Sequence, residues 1–94
     1  WPNNADLSGA DLRGISMVGG RNLTGANMEN AILCGVRFAG VDLTRVNMKG
    51  ADVDGTDFRG CKMVQVVLEG AKNLEKAKFD PMPPLAAPRR ARLR

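Results

Sequence analysis

The chain has 94 residues, room for one small domain with a limited core. It contains no histidine, so the commonest general base and the commonest metal ligand are both missing, which argues against an enzyme and against a metal centre. Its net charge of +4 is uneven: acids and bases cancel up to residue 80, and the excess lies in Arg89, Arg90, Arg92 and Arg94.

Residues 1–4 form a short lead. The first residue is Trp1 and not Met, which fits either a removed targeting segment or a missing upstream stretch. Trp1 is placed to lie over the open end of whatever follows.

From residue 5 to residue 81 the chain repeats every five residues. The repeat centres are Leu7, Leu12, Met17, Leu23, Met28, Leu33, Phe38, Leu43, Met48, Val53, Phe58, Met63, Leu68, Leu74 and Phe79, all large and apolar. Two residues before thirteen of the fifteen centres stands a small or β-branched residue, such as Ala26, Val36 or Thr56; the exceptions are Arg21 and Lys72. Just before the centre the residue is mostly Asp or Asn, and two after it Gly fills ten of fifteen positions. A period of five fits neither a helix nor a plain strand. It fits a chain that turns a corner every five residues, with glycine easing the corner. Four sides make a square coil of about 20 residues, and coils stack at strand spacing.

Centres four repeats apart then share an interior column. The expected columns are Met17–Phe38–Phe58–Phe79, Leu23–Leu43–Met63, Leu7–Met28–Met48–Leu68 and Leu12–Leu33–Val53–Leu74. Two repeats carry a sixth residue, at "GGRNL" (19–23) and "GAKNL" (70–74). Read as bulges, they turn Gly20 and Ala71 inward and push Arg21 and Lys72 out.

No other segment carries chemistry of its own. Cys34 and Cys61 form no CxxC pair; Cys61 reads as a core thiol and Cys34 as a surface one. Asp52, Asp54 and Asp57 lack the spacing and glycine of a calcium loop. No apolar run is long enough to span a membrane. The outward apolar residues are Val18, Ile32, Val64 and Val67, with Ile32 and Val67 on adjacent sides as a candidate binding patch. Residues 82–94 form an extended Pro- and Arg-rich tail, whose arginines suit an acidic protein, a nucleic-acid backbone or anionic lipid heads.

The runs "ADLSGADLRG" at 5–14 and "GADVDGTDFRG" at 50–60 resemble the pentapeptide-repeat family. The resemblance implies an all-β, right-handed quadrilateral parallel β-helix of just under four coils, with an irregular tail. It implies a scaffold without catalytic residues or cofactor, whose partners are other protein subunits. The expected role is an accessory subunit of a larger assembly, with a plastid or thylakoid complex such as a photosystem as the narrowest form. The alternative is a DNA mimic that binds gyrase, for which the family uses a long acidic rod; this short body is electrically balanced. Weak nucleic-acid or anionic-surface binding through the arginines is a third reading.

Overall fold

The computed structural model describes residues 3–17 and 22–81. Trp1, Pro2, residues 18–21 and residues 82–94 lie outside the described residues, and with them the expectations placed on Trp1, Val18, Gly20, Arg21 and the four tail arginines.

Except at Leu74, where Lys72 takes the place, the residue just before each centre makes a parallel bridge to its counterpart in the next level, and the bridges fall into four columns. The first, column A, joins Asp6, Asn27, Asn47 and Val67; column B joins Asp11, Ile32, Asp52 and Lys72. Column C joins Ser16, Arg37, Asp57 and Lys78, and column D joins Asn22, Asp42 and Lys62. The described residues contain no α-helix. Each repeat is too short for a strand of its own, so pairing between levels holds the backbone together. The N–H of a centre donates to the level above, as Phe38 does to Asp57 O at 3.0 Å, and the N–H of a polar residue donates to the level below, as Asp57 does to Val36 O at 2.8 Å.

Inside the columns the centres stack. Leu23, Met28, Leu33, Phe38, Leu43, Met48 and Val53 are fully buried, and Met17 and Phe58 are 1% exposed. Burying one such side chain contributes about 1.5–3 kcal/mol. Phe38, Phe58 and Phe79 form one run of near-parallel rings, with centroids 5.5 and 5.1 Å apart and interplanar angles of 10° and 12°. The small slots Ala26, Ala31, Val36, Val41, Val46 and Ala51 are buried beside the centres. Thr56 is the one polar residue among the buried described side chains, and its hydroxyl donates to Leu33 O at 2.6 Å.

Two features differ from the sequence reading. Asp52 bridges Lys72 in step with the level below, where Ile32 bridges Asp52. Asp57, five positions after Asp52, bridges Lys78, which lies one position beyond the residue that the same step would reach. Ala71 packs against the core and Lys72 is exposed, as the sequence reading has them, but the extra residue enters after Lys72 and not as a bulge before it. It is taken up by a 3-10 turn, Leu74–Lys76, entered through Asn73 at φ 62°. Asn73 follows Lys72 in column B, so Leu74 is displaced from the Leu12–Leu33–Val53 column and is 38% exposed. Phe79 keeps its stacking place but is 41% exposed, because no described level lies above it. The first insertion shows the same slip in register. Ser16 bridges Arg37 with the longer step and Asn22 bridges Asp42 with the shorter one, so the extra residue falls between Ser16 and Asn22.

Candidate interaction surface

The outward surface is set by how each corner is closed. In eight repeats the Asp or Asn side chain accepts the N–H two residues on: Asp6, Asp11, Asn22, Asn27, Asp42, Asn47, Asp52 and Asp57, at 2.8–3.2 Å. This local bond explains why the slot before each centre takes a short carbonyl-bearing side chain. The corner itself requires a left-handed backbone. Nine glycines adopt it, and so do Asn30, Arg45 and Gln65. Arg45 and Gln65 are poor residues for that conformation, so stacking between levels overrides local preference.

The corners leave little chemistry free. Asp11 and Asp57 pair with Arg13 and Arg59 through two bonds each, including Nη2–Oδ2 contacts of 2.7 Å. Asp52 accepts from Asp54 N and from Asn73 Nδ2 at 3.0 Å. Among the described residues, no three His, Cys, Asp or Glu side chains converge as a metal site would need. Both cysteines are free and half-buried. Burial pushes the Cys61 thiol up to about 11, and its Sγ donates to Phe58 O at 2.9 Å. Burial, then the Asp52 charge, also raises Cys34. Neither is a poised nucleophile. A shallow groove lined by Ser8, Gly9, Asn27, Glu29 and Asn30 is open to solvent along its length.

The two ends are unlike. At the N-terminal end Leu12, Met17 and Leu23 are buried and Leu7 is half-buried, and Ile15 is exposed at 38%. At the C-terminal end Met63 and Leu68 are only half-buried, Phe79 and Leu74 are exposed, and Val64 and Val67 stand out at 44% and 41%. The backbone is open there too. In lower levels the N–H groups of Leu43, Met48 and Phe58 donate upward to Lys62, Val67 and Lys78. Their counterparts Met63, Leu68 and Phe79 find no backbone acceptor among the described residues.

A family model for pentapeptide repeats matches residues 22–60, in eight copies. Residues 22–60 are thus a run of pentapeptide repeats. Proteins of this family fold as right-handed β-helices and are generally non-enzymatic protein-interaction modules. Two solved pentapeptide-repeat structures are similar to the chain. One, Rfr23 from the cyanobacterium Cyanothece 51142, is 26% identical over 83% of this chain, with a TM-score of 0.39. The chain spans 59% of that protein's length. The other, alr5209 from Nostoc Pcc 7120, is 20% identical over 89% of this chain and 82% of its own, with a TM-score of 0.28. No curated protein matches the chain.

In this pentapeptide-repeat chain the patch residues Ile32 and Val67 do lie on neighbouring columns, but two levels apart. Ile32 is half-buried between Asp11 and Asp52, while Val67 caps column A. They do not form one patch. Val67 instead groups with the apolar end. The exposure of Phe79 and Leu74 was hidden in the repeat pattern, which marks them as centres like any other. The readable signal was their rank: they are the last two centres, with no later repeat to cover them. No helix among the described residues is long and apolar enough to cross a membrane.

The corner carboxylates also predict a pH response. Asp6, Asp11, Asp42, Asp52 and Asp57 are all held below the ordinary carboxylate value, chiefly by bonds from Ser8, Arg13, Thr44, Asn73 and Arg59 respectively. A depressed folded-state value contributes stability above the unfolded value, near pH 4, and that stability is lost as pH falls through the folded value. The melting temperature is expected to hold steady down to about pH 5 and then drop steadily toward about pH 2. Circular-dichroism melts across that range check it; a flat profile contradicts the role given to these bonds.

Proposed function

We propose that the chain is a four-sided coil of just under four turns that serves as a non-enzymatic accessory subunit, docking onto other protein through its C-terminal end. The carrying observation is the C-terminal end itself: exposed Phe79, Leu74, Val64 and Val67 around a backbone edge whose N–H groups meet no backbone acceptor among the described residues. Such an edge invites pairing, and terminal repeats of a solenoid need covering. The walls support the same reading by contrast, since most of their aspartates accept a local Asx bond and Asp11 and Asp57 also pair with arginine. Those pairs also speak against a DNA mimic, which needs free carboxylates along a face. A photosystem or other plastid complex as the setting rests on the family resemblance alone.

Lysine cross-linking on the natively isolated full-length chain tests the reading. Lys62, Lys72 and Lys78 are exposed at the C-terminal end, and Lys49 lies on a wall. Cross-links to another polypeptide are expected from the end lysines and not from Lys49. Cross-links confined to Lys49, or no intermolecular cross-links, would overturn it.

A further inference from the structure

The free charges of the coil are sorted by wall, and the walls of columns C and D leave only positive ones free. We propose that these two walls bind an acidic polypeptide; the contact goes beyond the end docking proposed above and extends down one side of the coil.

Two observations carry it. The first is the sorting itself. On the walls of columns C and D, Arg37, Arg45, Lys62 and Lys78 are exposed and form no ion pair among the described residues. Each acid on that side is already engaged. Asp57 accepts from Arg59 Nε at 2.9 Å with one oxygen and from Arg59 Nη2 at 2.7 Å with the other. Asp42 accepts from Thr44 N at 2.9 Å, and Asp80 accepts from Gly60 N at 2.8 Å. The walls of columns A and B differ. There the carboxylates of Glu29, Asp54, Glu69 and Glu75 form no ion pair among the described residues, and they are interspersed with Lys49, Lys72 and Lys76. A mixed wall favours neither sign, whereas unopposed cations select an anionic surface.

The second observation is Arg45. It turns the corner beyond Asp42 with a left-handed backbone at φ 60°, where Gly25 turns the same corner one level below at φ 73°. Glycine avoids the strain that arginine carries there, so the strain is retained for what the side chain contacts. A guanidinium suits a carboxylate, which it meets through two parallel bonds.

The cations also reach the open end. Lys78 lies in the last level, and Arg37 lies two levels below it in the same column. At about 4.8 Å per level, the strip runs about 10 Å down from the end. A partner seated on Phe79 meets it by folding over one edge. A protein fits this strip better than a nucleic acid. Asp57 stands between Arg37 and Lys78, so a continuous row of phosphates is repelled where separately placed carboxylates are not. Among the described residues, neither wall presents an outward aromatic for bases to stack on.

Binding of fluorescent poly-L-glutamate to the purified full chain at low salt, read by anisotropy, tests the proposal. Two triple variants lose the same charge from different sides: Arg37→Gln/Arg45→Gln/Lys62→Gln and Lys49→Gln/Lys72→Gln/Lys76→Gln. All six positions are exposed, and Gln65 already turns the corner of Arg45 one level up, so both variants are expected to fold, as circular dichroism checks. The first is expected to weaken binding about tenfold, the second by less than about twofold. Equal losses overturn the proposal, because total charge then sets the affinity. No loss in either variant, or no binding by the unaltered chain, overturns it too. So does a duplex DNA that binds more tightly than poly-glutamate and is released by the first triple, since the occupant is then a nucleic acid. End-lysine cross-links to another protein, with the first triple silent, sink the wall and leave the docking end standing. The converse, a responsive wall without end cross-links, sinks the docking end alone.

Discussion

Phe58→Ala is expected to cost about 3–5 kcal/mol of folding stability. Phe58 is 1% exposed and lies between two rings, 5.5 Å from Phe38 and 5.1 Å from Phe79. Removing it leaves a gap that neither neighbour can close. Each ring is fixed to its own level by backbone bonds, Phe38 N to Asp57 O and Phe58 N to Lys78 O. A gap in a column cannot relax along the column, so the loss lies toward the upper part of the range for large-to-small changes. Domains of this size have about 5–15 kcal/mol in total, so the variant is expected to be marginal at room temperature. Phe79→Ala is the internal control. Phe79 is 41% exposed and stacks on one ring only. At concentrations where the chain is monomeric it should cost well under half as much. Urea denaturation of the two variants measures the difference. Equal losses would mean that the C-terminal end is covered, and would remove the basis of the docking surface.

Much of the architecture was legible because one physical constraint repeats. A side chain large and apolar at every fifth residue must share an interior, and residues one level apart must then touch. The Phe38–Phe58 contact follows from that arithmetic, with no local signal pointing to it. The columns through Met28 and Leu43 follow likewise. Legibility failed where the period breaks. At "GAKNL" the pattern shows that a residue is extra but not where the chain accommodates it. A bulge before Leu74 and a turn after Lys72 give the same string of letters, and Asn73 decides between them. Asn tolerates the left-handed backbone that the 3-10 turn needs at its entry, so the break sits at the turn and not at the preceding Ala71. The docking surface was legible only in part. Val64 and Val67 are visible as outward apolar residues. Phe79 and Leu74 are not, because a repeat pattern assigns the same interior role to its last member as to its middle ones.

The corners give the second large expected effect. Gly50→Ala should destabilise the fold by roughly 2–4 kcal/mol, far more than an exposed Gly→Ala change elsewhere. Two costs coincide. Gly50 has φ +69°, where a side chain strains the backbone. A Cβ there would also run into Asn30 Oδ1 on the adjacent level. The Asn30 backbone is held, left-handed at φ 60° with its N–H bonded to Lys49 O at 2.8 Å, so the contact is relieved by turning the exposed amide away from the glycine. The two residues are thus one device: the amide lies over the glycine, and the glycine leaves room for it. Asn30→Gly removes the obstruction while keeping the corner permissive. The double variant Asn30→Gly/Gly50→Ala should therefore be more stable than Gly50→Ala alone, by a favourable coupling of about 0.5 kcal/mol in a double-mutant cycle. Gly9→Ala is the contrast, since it has a similar φ of +69° but no atom within 4 Å of the new Cβ. It should show the backbone cost without the clash. If Gly9→Ala and Gly50→Ala lose equal stability, and Asn30→Gly rescues nothing, the strain lies in the left-handed corner alone and the contact between levels contributes nothing to it.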